Sequence, residues 1–185
     1  NGRWINAPVE SFLDAVATRF FNVPIIAEDL GLITPDVREV LYKYHIPGMR
    51  VLLFAFSDDN HKHQYLPHMY ESNCVVYTGT HDNNTIQGWM RTEARDDEKR
   101  RLFTYIGASV PEHEVHWEFI RLAMQSVAAM VIIPLQDVFG LGAEARMNTP
   151  AVSGGNWKWR FVSRMLNDEV KYRLRTMTET YGRGD

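Results

Sequence analysis

An α/β fold with a mainly parallel sheet is predicted by three features of the sequence. Short apolar runs of strand length recur along the chain, and each passes into a polar loop. Each loop leads to a segment whose apolar residues keep helical spacing, so strand, loop and helix repeat as βα units do. The hydrophobic share, 45% of 185 residues, is enough to bury a core. One domain is the default reading at this length, and no solenoid-type repeat is evident.

The elements follow in chain order. Pro8 opens a helix carrying Phe12, Leu13, Val16 and Phe20 at helical spacing, and Val23 to Ala27 reads as a short buried strand ending at Glu28-Asp29. Thr34-Pro35-Asp36 supplies an N-cap, a proline at the first helical position and an acidic first turn, with Val37, Val40, Leu41 and Tyr44 on one face. His45-Ile46-Pro47-Gly48 breaks that helix, and Met49 to Phe56 is a second apolar run of strand length. Residues 57–73 read as a long loop, and Cys74 to Thr78 as a third strand leading into Gly79-Thr80-His81-Asp82-Asn83. The charge-dense stretch Arg91 to Arg101 reads as a solvated helix face. Pro111 precedes a helix with Trp117, Ile120, Ala123, Met124 and Val127, after which Met130 to Pro134 is a fourth buried strand leading to Gln136-Asp137. Ser153-Gly154-Gly155 marks a turn, and Val170, Leu174, Met177 and Tyr181 line one side of a terminal helix.

Charge and composition exclude several classes of function. Twenty Lys and Arg against 23 Asp and Glu give a formal charge of -3. With both signs scattered along the chain, neither nucleic acid nor an anionic membrane is expected as a partner. The longest apolar stretch, Ala128 to Leu135, is far below the roughly 20 residues of a spanning helix. Asn1-Gly2-Arg3-Trp4 does not start a signal peptide. Cys74 stands alone, which rules out an intrachain disulfide, a CxxC redox pair and a multi-cysteine zinc site. A soluble protein in a reducing, cytoplasmic setting is expected. A chain starting at Asn1 instead of Met is also expected to be cut from something longer.

In parallel α/β architectures reactive groups gather where strands end and loops begin. Glu28, Asp82 and Asp137 each follow a separate strand, and a curved sheet would bring such positions to one face. Glu28 emerges from the apolar Ile25-Ile26-Ala27, where desolvation is expected to raise its pKa as a general acid requires. Asp82 lies beside His81 among small and amide residues, a setting that favours the ionised form. Two acids in contrasting environments suit glycosidic-bond chemistry, although chance placement of surface carboxylates gives the same pattern. Tyr65, Tyr70, Trp89, Trp157 and Trp159 lie in loops or near turns, where rings either stack on sugar faces or simply join the core. His61, His63 and His68 lack supporting acidic spacing, so no metal site is expected. Gly140-Leu141-Gly142 and Gly154-Gly155 fall short of phosphate loops, and no Gly-x-Ser-x-Gly nucleophile elbow is present.

Several long motifs in order carry a specific resemblance. Ile26-Ala27-Glu28-Asp29-Leu30-Gly31, Pro47-Gly48-Met49 and Tyr77-Thr78-Gly79-Thr80-His81-Asp82-Asn83 come first. Pro134-Leu135-Gln136-Asp137, then Gly142-Ala143-Glu144-Ala145-Arg146-Met147-Asn148-Thr149-Pro150, and finally Gly155-Asn156-Trp157-Lys158-Trp159-Arg160 complete the set. Together they closely resemble the 4-alpha-glucanotransferases, the amylomaltases or disproportionating enzymes of glycoside hydrolase family 77. The resemblance implies an eight-stranded (β/α)8 TIM barrel that moves alpha-1,4-glucan segments between maltooligosaccharides without a cofactor. By this likeness Glu28 matches the general acid/base closing the fifth strand, and Asp82 the carboxylate after the seventh that stabilises the distorted donor sugar. His81 matches a neighbour that hydrogen-bonds the same sugar, and Asn148 a further contact near the cleavage point. Asp137 has no catalytic counterpart and is assigned a structural role at the eighth strand.

One departure matters more than these agreements. The family's nucleophile is an Asp in an Arg-x-Asp-His segment closing the fourth strand, and no such segment occurs here. The four strands read above then correspond to strands five to eight, making residues 1–185 the C-terminal half of a barrel and a single partial catalytic domain. Two rivals stand beside the transferase: a plain glycoside hydrolase, and a non-catalytic glucan-binding or structural fragment. A half barrel would expose strand edges at Val23 to Ala27 and Met130 to Pro134, so self-association is also expected.

Overall fold

A computed structural model describes residues 2, 3, 5, 7–20 and 25–184. The chain divides into two compact units, residues 1–49 and 50–185.

In the first unit, helix α1 (Val9–Arg19) starts directly after Pro8 and α2 (Pro35–Lys43) directly after Thr34, with Pro35 at its first turn as expected. The Thr34 hydroxyl bonds the Asp36 carboxylate instead of capping the backbone, which holds Asp36 below its usual pKa. Of the apolar face expected on α1, Leu13 is buried while Phe12 and Phe20 are exposed, and no residue of α2 is buried. Polar contacts join this helix pair: Tyr44 Oη donates to Asp14 Oδ1 at 2.7 Å and to the Glu10 carbonyl at 3.2 Å, and Lys43 Nζ donates to Glu10 Oε1 at 2.9 Å. Exposed contacts of this kind contribute little to stability, because solvent screens them. Val23 and Pro24, the first half of the expected opening strand, lie outside the described residues. Ala27 makes an isolated parallel bridge to Gly48. The buried Asp29 accepts the Met49 N–H at 2.6 Å, and a Cβ on Gly48 would sit 2.5 Å from the same carboxylate, so a glycine is needed there.

Strand β1 (Gly48–Val51) is shorter than the apolar run that predicts it, because Leu52–Phe54 forms a 3-10 turn. Leu52 and Leu53 are both buried, so the run lacks the one-sided alternation that favours a continued strand. The long loop is present, and strand β2 (Cys74–Tyr77) follows it. Next come α3 (Ile86–Thr92), α4 (Asp96–Ile106), α5 (Val115–Gln125), β3 (Met130–Ile132), the short α6 (Leu135–Val138) and α7 (Asp168–Thr180). The sheet order is β1-β2-β3, and β2 runs parallel to β3 with Val75 opposite Met130 and Tyr77 opposite Ile132. The helices α3 to α5 provide the crossover that a parallel pair requires.

Three of the four expected strands therefore pair as a sheet among the described residues. The charged stretch, expected as one helix face, is two helices. Arg95 ends the break between them, where Glu98 turns back to accept the Arg95 N–H at 2.8 Å and is itself buried. Nor is β3 the buried strand that its composition predicts. Met130 and Ile132 are exposed while Val131 and Ile133 pack inward, because successive side chains of a strand point to opposite faces and only one face of β3 is covered among the described residues. Inward of β3 lie Trp117, Ile120 and Met124 of α5 with Val138, closed by Val170, Leu174, Met177 and Tyr181 on the expected face of α7. Val127, expected on the α5 face, lies past the helix end and is exposed. The Arg183 guanidinium caps this region by donating to the carbonyls of Met124, Ser126 and Ala128. Among the described residues no helix is long and apolar enough to cross a membrane.

Candidate active site

The loop of residues 79–85 between β2 and α3 is shaped by its own side chains. Asn83 Oδ1 accepts from the Thr80 backbone N–H at 2.8 Å and from its hydroxyl at 2.9 Å, folding the loop back on itself. The Thr85 side chain caps α3 by accepting the Gly88 N–H. His81 and Asp82 stand at the tip, about half exposed, with His81 Nε2 3.5 Å from Asp82 Oδ1.

The segment after α6 completes the site. Asn148 donates its amide to Asp82 Oδ1 at 2.5 Å, and its backbone N–H to the His81 carbonyl at 3.0 Å. Arg146 holds both partners from behind: Nη2 donates to the Asp82 carbonyl at 2.8 Å and Nε to the Asn148 carbonyl at 2.9 Å. Its remaining Nη1 reaches Glu93 at 3.2 Å. The Trp157 ring lies 5.1 Å from the His81 ring at 35°. Trp157 is 53% exposed, and its backbone has a φ of 61° that a non-glycine residue adopts only when its surroundings impose it. The surrounding contacts are a 2.7 Å bond from its N–H to Met147 O and a bond from Arg160 to its carbonyl. Beneath these groups a cavity of about 180 Å³ runs from His81 and Trp157 to Asp137.

Asp137 lies at the floor of this cavity, 2% exposed, accepting from Thr78 Oγ1 at 2.6 Å and from the Ile86 N–H at 2.8 Å. Burial pushes its pKa up to about 6, against the opposing effect of the two hydrogen bonds. A carboxylate offers two strong acceptors to oppose two donors, which agrees with a structural role for this residue.

Of the residues singled out in the sequence, His81, Asp82 and Asn148 come together. Glu28 stands in the other unit, between the bridge at Ala27 and the buried Asp29. It is exposed, and so is Ile26, so the apolar strand does not enclose the Glu28 carboxyl as the sequence suggests. Tyr65, Tyr70 and Trp89 are core residues and Trp159 is half-buried, whereas Trp157 presents an open aromatic face. The loop histidines, on which no metal site is expected, have other contacts: His68 bonds Tyr105 Oη and the His61 carbonyl, while His63 faces Asp58 and Tyr65. Among the described residues no three His, Cys, Asp or Glu side chains are grouped to hold a metal. Sequence reasoning missed Arg146. Its signal was the spacing to Asn148, since residues two apart on extended chain share a face.

Residues 1–165 match the family model described as 4-alpha-glucanotransferase. The chain belongs to that family. It is 46% identical over 185 residues to the 4-alpha-glucanotransferase of Synechocystis, covering 99% of this chain and 36% of that protein. The Thermus thermophilus relative is 45% identical, covering 96% of this chain and 36% of that protein. The chloroplastic/amyloplastic enzyme of Solanum tuberosum is also 45% identical, covering 98% and 32%. The chain thus spans about a third of the length of these relatives. Amylomaltase from Streptococcus agalactiae in complex with acarbose superposes with a TM-score of 0.92 at 32% identity, covering all of this chain and 37% of that one. The Corynebacterium glutamicum amylomaltase, at 16% identity and a TM-score of 0.62, covers 83% of this chain and 28% of its own and shares the fold. The α/β expectation holds at that level.

Proposed function

We propose that this chain is the C-terminal half, strands five to eight, of a (β/α)8 barrel that transfers alpha-1,4-glucan segments between maltooligosaccharides. The observation that carries the reading is the Asp82 carboxylate, fixed at 2.5 Å by Asn148 and flanked by His81 and an exposed Trp157. An acid held by an amide beside an open aromatic ring suits a sugar: the ring faces the pyranose, and the polar groups take its hydroxyls. Asp82 and His81 bind the donor ring more tightly as it flattens toward an oxocarbenium-like state, and Asn148 keeps Asp82 aimed at it.

In the complete enzyme an Asp outside these 185 residues attacks the anomeric carbon while Glu28 protonates the departing glucan oxygen. A glycosyl-enzyme forms with inversion. Glu28, now a base, takes the proton from an incoming sugar hydroxyl, and the second inversion restores the original configuration. The chemistry calls for no cofactor or metal. The single cysteine, Cys74, is buried, which is compatible with a reducing, cytoplasmic setting.

The test uses maltotriose. The 185-residue chain alone is expected to give no disproportionation, because the nucleophile is missing, and turnover comparable to a full-length relative refutes this. In a full-length enzyme carrying the chain, Glu28→Gln is expected to abolish transfer, and an active variant overturns the acid/base assignment. Longer oligosaccharides plus glucose identify transfer, whereas shortening alone identifies hydrolysis.

A further inference from the structure

The seven-residue loop that carries His81 and Asp82 is bounded by Thr78, just past β2, and by Ile86, the first residue of α3. One side chain reaches both boundaries. Asp137, on α6, takes the Thr78 hydroxyl on Oδ2 and the Ile86 backbone N–H on Oδ1, both bonds being buried. Thr78 is in turn fixed from the β1 side, its carbonyl accepting the Leu53 N–H at 3.1 Å. The preceding residue, Gln136, is also buried and donates Nε2 to the Ala145 carbonyl at 3.3 Å. Ala145 adjoins Arg146, which holds the carbonyls of Asp82 and Asn148. Two successive side chains of one short helix therefore secure the two segments whose tips meet in the Asn148–Asp82 bond.

We propose that Asp137 is a positioning residue for Asp82: by closing the 79–85 loop at both ends it fixes the direction from which that carboxylate meets Asn148 and the donor sugar. The proposal rests on the glucan-transfer reading above. Its physical basis is geometric. A loop pinned at both ends loses the freedom to swing its tip, and a carboxylate that acts on a developing charge works only when aimed before the reaction. In the low-dielectric interior the two bonds to Asp137 are stronger than the same pair would be at the surface.

The experiment compares Asp137→Ala, Asp137→Asn and Thr78→Val in a full-length enzyme carrying this chain. It follows maltotriose disproportionation together with hydrogen exchange at the Ile86 amide. For Asp137→Ala, kcat is expected to fall by roughly 100-fold or more with KM changed less than about threefold, and Ile86 exchange to accelerate. Asp137→Asn presents its oxygen to the Ile86 N–H and its amide to the Thr78 hydroxyl oxygen, and is expected to restore kcat to within about tenfold. Thr78→Val, which loses one bond, is expected to lie between them. An Asp137→Ala enzyme that exchanges fast at Ile86 yet keeps its kcat overturns the proposal, as does an Asn variant no better than Ala. If Asp137→Ala does not fold, Thr78→Val decides, because an unchanged kcat with accelerated exchange overturns the proposal and a selective fall in kcat supports it. Failure of the transfer reading itself looks different: the unmutated enzyme yields no transfer products, while the Ile86 exchange still reports whether Asp137 closes the loop.

Discussion

The surroundings of Asp82 and of Glu28 are built in opposite ways. Asp82 is held through its side chain by Asn148, through its carbonyl by Arg146, and at the base of its loop by Asp137. Glu28 is held through its neighbours, Ala27 in a backbone bridge and Asp29 on the Met49 amide, while its own carboxyl is exposed. The contrast matches the work proposed for each. A carboxylate that stabilises a transition state acts from a fixed position, so its aim must be built in advance. An acid/base group instead moves a proton in both directions between a leaving and an arriving oxygen.

The largest effect that sharpens this contrast is expected at Asp82 itself. In a full-length enzyme carrying the chain, Asp82→Ala is expected to lower kcat by about 10³-fold, with a smaller change in KM, because the lost contacts are strongest in the transition state. Asn148→Ala leaves the carboxylate in place but unaimed, and is expected to cost about 10–100-fold on the same assay. The Asp82→Ala/Asn148→Ala double variant is expected to fall no further than Asp82→Ala alone; a further fall would break the comparison, because Asn148 would then act on the sugar directly and not through Asp82.

A smaller effect is expected from Asp137 on stability. Its folded pKa of about 6 lies above the usual 3.8, so the native state keeps this proton where the unfolded chain has released it. The sign follows: the contribution of this group is full below about pH 3.8 and is lost as pH rises toward 6, a change of ~3 kcal/mol. His81 and Arg146 line the same cavity as Asp137, and the shift comes from burial opposed by the Thr78 and Ile86 hydrogen bonds. Asp137→Asn is expected to gain stability over the unmutated chain as pH is raised from 4 to 7, measured by urea unfolding at each pH. A difference that does not vary with pH would mean that the carboxyl is as well solvated in the fold as outside it.

Much of this was legible in the sequence because the signals were local. Thr34-Pro35-Asp36 marked the start of α2, the apolar steps of α5 and α7 predicted the faces they pack on the core, and the loop motif after β2 supplied His81 and Asp82. Other features depended on what lies across space. Composition made Met130 to Pro134 a buried strand, but burial requires cover on both faces, and among the described residues only the Val131 and Ile133 face of β3 is packed. Ile25-Ile26-Ala27 suggested an enclosed Glu28 for the same reason, and it is exposed. Arg146 escaped notice because an arginine donating to backbone carbonyls resembles any surface arginine until the chain folds.

The smallest effect is expected on α4, which is as rich in charge as the candidate site. Several of its side chains pair within the helix, such as Arg101 with Asp97 at 2.9 Å. Lys99 lies on an open groove of that helix, away from the residues that hold Asp82. Lys99→Ala replaces one good helix former by another and removes a solvated charge, so it is expected to shift stability by no more than about 0.5 kcal/mol and to leave kcat unchanged. Glu93, only six positions away, is the contrasting control. It accepts from Arg146 and from the Asn84 amide at 2.8 Å, so Glu93→Gln is expected to lower kcat by a few-fold by loosening Arg146. If Lys99→Ala and Glu93→Gln fall equally in a maltotriose assay, the loss is not specific to the contacts from Glu93 through Arg146 to Asp82, and that chain of contacts does not govern activity.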